Sequence, residues 1–187
     1  MLATRVHVQP AGPDDVAPAR ALMLRVLEED LGYGFRPEWH ADVADPATAY
    51  LRTPGQVLLL ARDDDGVLMG TTAVRTGGPR SPQALVERYA DRPVAQLVRV
   101  WVLAEHRRRG VARALVTAAA RWAVTEGGYR TLCLHTDTAV PGAEAFWRSL
   151  PVVEVLDERV PGELLQTVHF ELDTTALLGN PGRPADD

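Results

Sequence analysis

The chain contains no lysine, since all 20 of its basic side chains are arginine. Schiff-base chemistry and lysine modification are therefore excluded for its own side chains. A single cysteine, Cys133, leaves no internal disulfide to form, which suits a reducing compartment. No run of about 20 apolar residues is available to cross a bilayer, and Met1 to Pro10 lacks the continuous apolar region of a secretory signal. A cytoplasmic protein without membrane contact is expected. Basic excess is missing as well: the net charge is -5, against the footprint of a nucleic-acid binder. No His, Cys or carboxylate pair has metal-ligand spacing such as His-Glu-x-x-His, so no metal is expected. The absence of a Gly-x-Ser-x-Gly elbow excludes the usual Ser-His-Asp hydrolase.

What is present is an ordinary globular composition, 46% hydrophobic in 187 residues, enough for one full core. The most informative run is Val98 to Gly128. It opens as a strand (Val98, Val100, Val102), crosses a loop holding Arg107, Arg108, Arg109 and Gly110, and continues as a helix. Ala112, Leu115, Val116, Ala119, Ala120 and Ala123 fall at the spacing of one buried helical stripe, and Gly127-Gly128 ends it. A strand that feeds a glycine-containing arginine loop into a helix N-terminus makes an anion site, because the first-turn N–H groups lack partners and the dipole favours negative charge.

Around that run the pattern predicts a first strand over Thr4 to Gln9 and a helix carrying Val16, Ala19, Leu22, Met23, Val26 and Leu27 on one face. The carboxylates Glu28, Glu29 and Asp30 at its C-terminal end oppose the helix dipole, a hint of function. Tyr33, Phe35 and Trp39 crowd a Gly/Pro-rich loop in a chain with only 6% aromatics, which points to packing against core or ligand. A short interrupted helix follows over Asp42 to Leu51. Gln56 to Arg62 and Val67 to Thr76 form a hairpin across an Asp-Gly turn, and Gln83 to Tyr89 a short helix. Tyr129 to Thr136 is the next strand, Pro141 opens a helix through Trp147, and Val152 to Arg159 with Leu164 to Leu172 closes the chain as a hairpin. The expected architecture is a mixed α/β sheet flanked by helices, with one right-handed crossover. It forms a single domain over residues 1–175, with a disordered tail over 176–187. His135, inside an apolar strand, and His169, in the closing hairpin, read as structural, and Cys133 as a buried thiol.

Arg107-x-x-Gly110-x-Ala112, placed after a strand and before a helix, resembles the acyl-coenzyme A signature of the GNAT acetyltransferase superfamily, Arg/Gln-x-x-Gly-x-Gly/Ala. The order of elements from about residue 4 to 173 is similar to that fold as well. The resemblance implies transfer of an acetyl or other small acyl group from acetyl-coenzyme A to an amine of a small molecule or peptide by direct attack. It equally admits a non-catalytic acyl-coenzyme A sensor or regulatory domain, and a homodimer. Coenzyme contacts are implied at Arg107, Arg108, Arg109, Gly110, Val111, Ala112 and Arg113 for the pyrophosphate. The backbone of Trp101, Val102 and Leu103 is implied for the pantetheine arm, and Ala143, Phe146 and Trp147 for the region beside the thioester. Acceptor contacts are expected from Tyr33, Phe35, Trp39, His40, Gln96 and Arg99. Two departures stand out: Gln96 occupies the place of the family's glutamate base, and Trp147 that of its tyrosine acid. Tyr33, His40, Glu28 and His135 are the candidates to move protons in their stead, on grounds of chemistry alone.

Overall fold

A computed structural model describes residues 5–163 and 166–179. Seven strands form one sheet in the order β1-β2-β3-β4-β5-β7-β6, where β1 is His7–Pro10, β2 Val57–Arg62, β3 Leu68–Thr76, β4 Val94–Val102, β5 Thr131–Asp137, β6 Val152–Asp157 and β7 Thr167–Leu172. All neighbours pair antiparallel except β4 and β5. That parallel pair is joined through helix α4, Val111–Thr125, the expected crossover. The other helices are α1 Val16–Glu29, α2 Ala41–Ala44, α3 Gln83–Tyr89, α5 Ala143–Arg148 and α6 Thr174–Leu178.

The sheet separates two apolar layers. On one face α4 buries Val116, Ala119, Ala120 and Ala123 against Val74, Ala95, Leu97, Leu132, Leu134 and Phe170. Small residues on that stripe let the helix approach the sheet closely, and Leu115 is fully buried beside Met69 and Val102. On the other face α1 lays Ala19, Met23 and Leu27 on Leu58, Leu60 and Ala73. The stripe on α4 matches the sequence spacing, with Val111 replacing Ala112 as its deepest N-terminal member. Close approach also explains Gly70: a Cβ there would stand 2.7 Å from the Trp101 carbonyl and 3.2 Å from Leu115 Cδ1. Gly70→Ala is expected to destabilise the protein by about 1–3 kcal/mol through overpacking, read as a lower urea midpoint with unchanged slope.

Two element boundaries differ from expectation. The helix anticipated from Pro141 begins at Ala143, because Gly142 takes a left-handed φ of 80° and resets the chain direction. Residues 176–178, expected in a disordered tail, instead belong to α6. Asp173 caps α6 by accepting the Ala176 N–H at 2.8 Å, and Leu177 and Leu178 pack on the α4 layer. The remainder of that tail, 180–187, lies outside the described residues, as does Leu164 of the closing hairpin. Among the described residues no helix is long and apolar enough to cross a membrane.

Candidate active site

The ladder between β4 and β5 stops at Gln96 opposite Cys133, so β4 from Leu97 onward has no strand partner on that edge. The cause lies in β4 itself. Thr71 faces Trp101 whereas Ala73 faces Val98, so two steps on β3 oppose three on β4. Such a bulge adds twist and turns the rest of the strand away from its neighbour. Arg99 absorbs the extra residue at a φ of 56°. Two fully buried hydroxyls hold the carbonyls it displaces: Thr71 Oγ1 donates to Arg99 O and Thr72 Oγ1 to Val98 O, each at 3.2 Å. The result is a gap between the C-terminal halves of β4 and β5.

At the mouth of that gap the arginine loop turns into α4. Arg108 (φ 60°) and Gly110 (φ 80°) are both left-handed, a conformation that strains the arginine but not the glycine. The main-chain N–H groups of Arg108 to Arg113 find no protein acceptor among the described residues. A Cβ built on Gly110 meets nothing within 4 Å. Open space above free amides at a helix start is what a phosphate group requires, so the residues present fit the pyrophosphate of an acyl-coenzyme A.

The three loop arginines do not act alike. The Arg107 guanidinium turns inward, donating to Asp30 and, at 3.0 Å, to the Val102 carbonyl. Arg25 grips Glu105 through two donors, at 2.8 and 3.3 Å, and Glu29 at 2.9 Å. These bonds account for Glu29 and Asp30 on the acidic end of α1: they tie α1 to the loop. Only Arg108 and Arg109 are left exposed and uncommitted in the turn. Arg113 reaches across to the Ser149 carbonyl and hydroxyl at 3.2 and 3.3 Å. Trp147, expected beside the thioester, is instead buried in the α4 layer, with Phe146 half-buried against it in a T-shaped pair at 5.0 Å. Its place on the short α5 turns the indole toward the core, while Ala143 and Phe146 are half-exposed.

Across the gap, the aromatic loop packs around one buried histidine. His40 is 1% exposed and stacks on Tyr33 (5.9 Å between centroids, 6° between planes), with Phe35 at 5.8 Å and Trp39 edge-on at 6.4 Å. Its Nδ1 accepts the Arg36 N–H at 2.9 Å, which places the ring proton on Nε2. Burial, reinforced by the Arg99 charge, holds the imidazole below the usual histidine range. With Nδ1 occupied and Nε2 protonated, His40 offers no lone pair to an amine. Burial likewise pushes the Tyr33 phenol up, which weakens it as an acid. Glu28 is exposed near Gly34 on the outer side of this loop. Phe35 and Trp39 stay about 40% exposed (37% and 42%), with the Arg36 guanidinium 5.2 Å above the Trp39 ring.

Arg99 and Gln96, expected as acceptor contacts, are both engaged by the protein. Arg99 forks onto Asp42 at 2.7 and 2.8 Å, reaches the Trp39 carbonyl at 2.8 Å and lies over Trp101 at 5.1 Å. Asp42 also accepts the Tyr50 hydroxyl. This network pins the aromatic loop to the bulge, and nothing in the sequence spacing pointed to it. Gln96, 4% exposed, accepts from Arg75. Cys133 is buried beside it, its thiol pushed up to about 12 by burial. His135 lies two residues farther along β5 and is exposed. Burial first, then the charges of His169, Arg99 and Arg75, hold its imidazole below the usual range, with Glu158 opposing.

Comparisons with known proteins agree with this arrangement. Residues 21–150 match the family model described as Acetyltransferase (GNAT) family. No curated protein sequence matches the chain. Among solved structures, a GNAT-family acetyltransferase from Staphylococcus aureus Mu50 superimposes with a TM-score of 0.69 at 13% identity, covering 90% of this chain and 98% of that one. The spermidine N-acetyltransferase of Vibrio cholerae, in complex with CoA and spermine, gives 0.67 at 14% identity over 92% and 98%. A GCN5-related N-acetyltransferase from Kribbella flavida gives 0.64 at 21% over 89% and 95%. The mixed sheet, the gap beside β4 and the glycine turn thus stand in a recognised frame, and the chain belongs to the GNAT acetyltransferase family.

Proposed function

We propose that this N-acetyltransferase holds acetyl-coenzyme A with the Gly110 turn at its pyrophosphate and the unpaired edge of β4, Trp101 to Leu103, along its pantetheine arm. Family membership makes the reaction acetyl transfer from coenzyme A to an amine. The observation that carries the residue assignment is the set of free amides from Arg108 to Arg113 under an open Gly110. Arg108 and Arg109 add positive charge at the rim, while Arg107 and Asp30 brace the turn from behind. Bound there, the coenzyme supplies an acyl thioester to the gap between β4 and β5. The acceptor amine enters from the opposite face, past Tyr33, Phe35 and Trp39, whose exposed rings suit an apolar or aromatic portion of the substrate.

Turnover is tested by thiol release from acetyl-coenzyme A over a panel of primary amines, with thermal stabilisation by the coenzyme measured in parallel. Stabilisation and release together support the transferase. Stabilisation without release on any amine leaves a coenzyme-binding regulator, and neither effect removes the residue assignment.

A further inference from the structure

We propose that His135 is the catalytic base of the acetyl transfer, oriented by a Glu158–His169 pair behind it. The inference rests on the transferase reading and names a residue that takes over where Gln96 cannot act. Gln96 is neutral at every ordinary pH and its carbonyl oxygen already accepts from Arg75. Gln96 and Cys133 are register partners across the parallel ladder, so their side chains emerge on the same face. His135 follows Cys133 by two residues, hence on that face again and about 6–7 Å farther along β5. That step places it just past the point where the strands part, beside the gap that receives the thioester and on the side of the aromatic loop.

Its surroundings are built for a proton. His135 and His169 are direct register partners on β5 and β7, with ring centroids 5.7 Å apart. His169 is 5% exposed, and its Nε2 lies 2.5 Å from Glu158 Oε2. A carboxylate can only accept, so the Nε2 carries a proton, and in the neutral ring the Nδ1 presents a lone pair. That Nδ1 is buried and has no hydrogen-bond partner among the described residues. A buried acceptor is stabilised by any donor that reaches it, so the position suits a group that gains a proton during the cycle. A protonated His135, its ring centroid 5.7 Å from that of His169, is such a donor. Burial first, then His169, Arg99 from β4 and Arg75 from β3, hold His135 below the usual histidine range, while Glu158 opposes them. The helix α5 packs on the opposite face of β5, with Trp147 among the α4 layer.

The step balances. The amine lone pair forms the N–C bond, the C–S bond breaks with its electrons leaving on sulfur, and the amine proton passes to a His135 nitrogen. From there it returns to the thiolate or to water. His135 touches the substrate, whereas His169 and Glu158 act through it and are positioning residues.

The test pairs His135→Gln with Glu158→Gln, two accessible side chains whose replacement opens no core cavity. With acetyl-coenzyme A and the best amine of a panel comprising spermidine, tyramine and benzylamine, His135→Gln should lower kcat by 10²-fold or more, the span of a general base. KM for the coenzyme should stay within twofold. Glu158→Gln should lower kcat about 10-fold with the same KM. Independently of turnover, the His135 ring protons followed by NMR should titrate at lower pH in Glu158→Gln than in the parent protein, because a favourable negative charge is gone. A His135→Gln protein with kcat within twofold of the parent, or an unmoved His135 midpoint in Glu158→Gln, overturns the proposal. A parent protein that binds the coenzyme but acetylates no amine overturns it together with the transferase reading.

Discussion

Gly110→Glu abolishes thermal stabilisation by acetyl-coenzyme A, and with it thiol release on any amine, if the turn before α4 holds the pyrophosphate. The glycine has a φ of 80° with nothing within 4 Å of a built Cβ, so a side chain added there enters the space reserved for the diphosphate. Glutamate adds bulk and like charge at once. A ligand present at 100 times its Kd stabilises the folded state by about 2.7 kcal/mol, and this whole increment should disappear. Any residue with a Cβ also meets backbone strain of roughly 1–2 kcal/mol at a left-handed φ, which lowers the melting temperature of the free protein. Gly110→Ala separates the two effects, since it carries the same strain without length or charge. It should melt lower than the parent while keeping part of its stabilisation by coenzyme. A Gly110→Glu protein that melts as high with acetyl-coenzyme A as the parent does would place the coenzyme elsewhere.

Why that turn could be read from sequence, and the acceptor side could not, follows from the range of the interactions concerned. The turn, α4 and its buried stripe are local: strand residues, Arg107, Gly110 and Ala112 lie within one stretch, and their periodicity survives in any context. The hairpin over β2 and β3 and the helix over Gln83 to Tyr89 are local in the same sense. By contrast, the Asp42–Arg99 fork joins residues 57 apart, and the Arg107–Asp30 contact spans 77. Neither leaves a spacing signal. Trp147 was aligned to a tyrosine beside the thioester, yet one helical position decides between core and cleft, and α5 is only six residues long. His40 and His135 had equal chemical credentials as bases. Tertiary packing separates them, by filling His40's Nδ1 with the Arg36 N–H and leaving His135 exposed. The buried threonines on β3 carried an overlooked local hint: two adjacent hydroxyls in the buried middle of the strand need acceptors, and the bulge in β4 provides them.

Asp42→Asn is the second large effect, and its pH dependence identifies the cause. The Asp42 side chain is 9% exposed and that of Arg99 16%, so water screens the pair only weakly. Burial alone would push the Asp42 carboxyl up. The Arg99 fork and the Tyr50 hydroxyl outweigh it and hold the group below the usual carboxylate range. Removing one partner of a buried ion pair leaves the other charge desolvated, at about 3–5 kcal/mol. Asparagine still accepts one bond from Arg99, so the loss expected at pH 7 is about 2–4 kcal/mol by urea denaturation. The sign follows from linkage: a carboxyl whose folded pKa is depressed stabilises the protein fully above its unfolded value of about 3.9, and that stability fades as pH falls through the folded pKa. The difference between parent and Asp42→Asn should therefore be constant from pH 8 to 5 and shrink below pH 4. A difference that persists undiminished at pH 3 would mean that the carboxylate charge contributes little and that Asn fails for reasons of shape. Because Arg99 also holds the Trp39 carbonyl at 2.8 Å, the same substitution frees the aromatic loop. The KM for the acceptor amine should then rise about tenfold while the KM for acetyl-coenzyme A stays as it was, since the Gly110 turn shares no contact with Asp42.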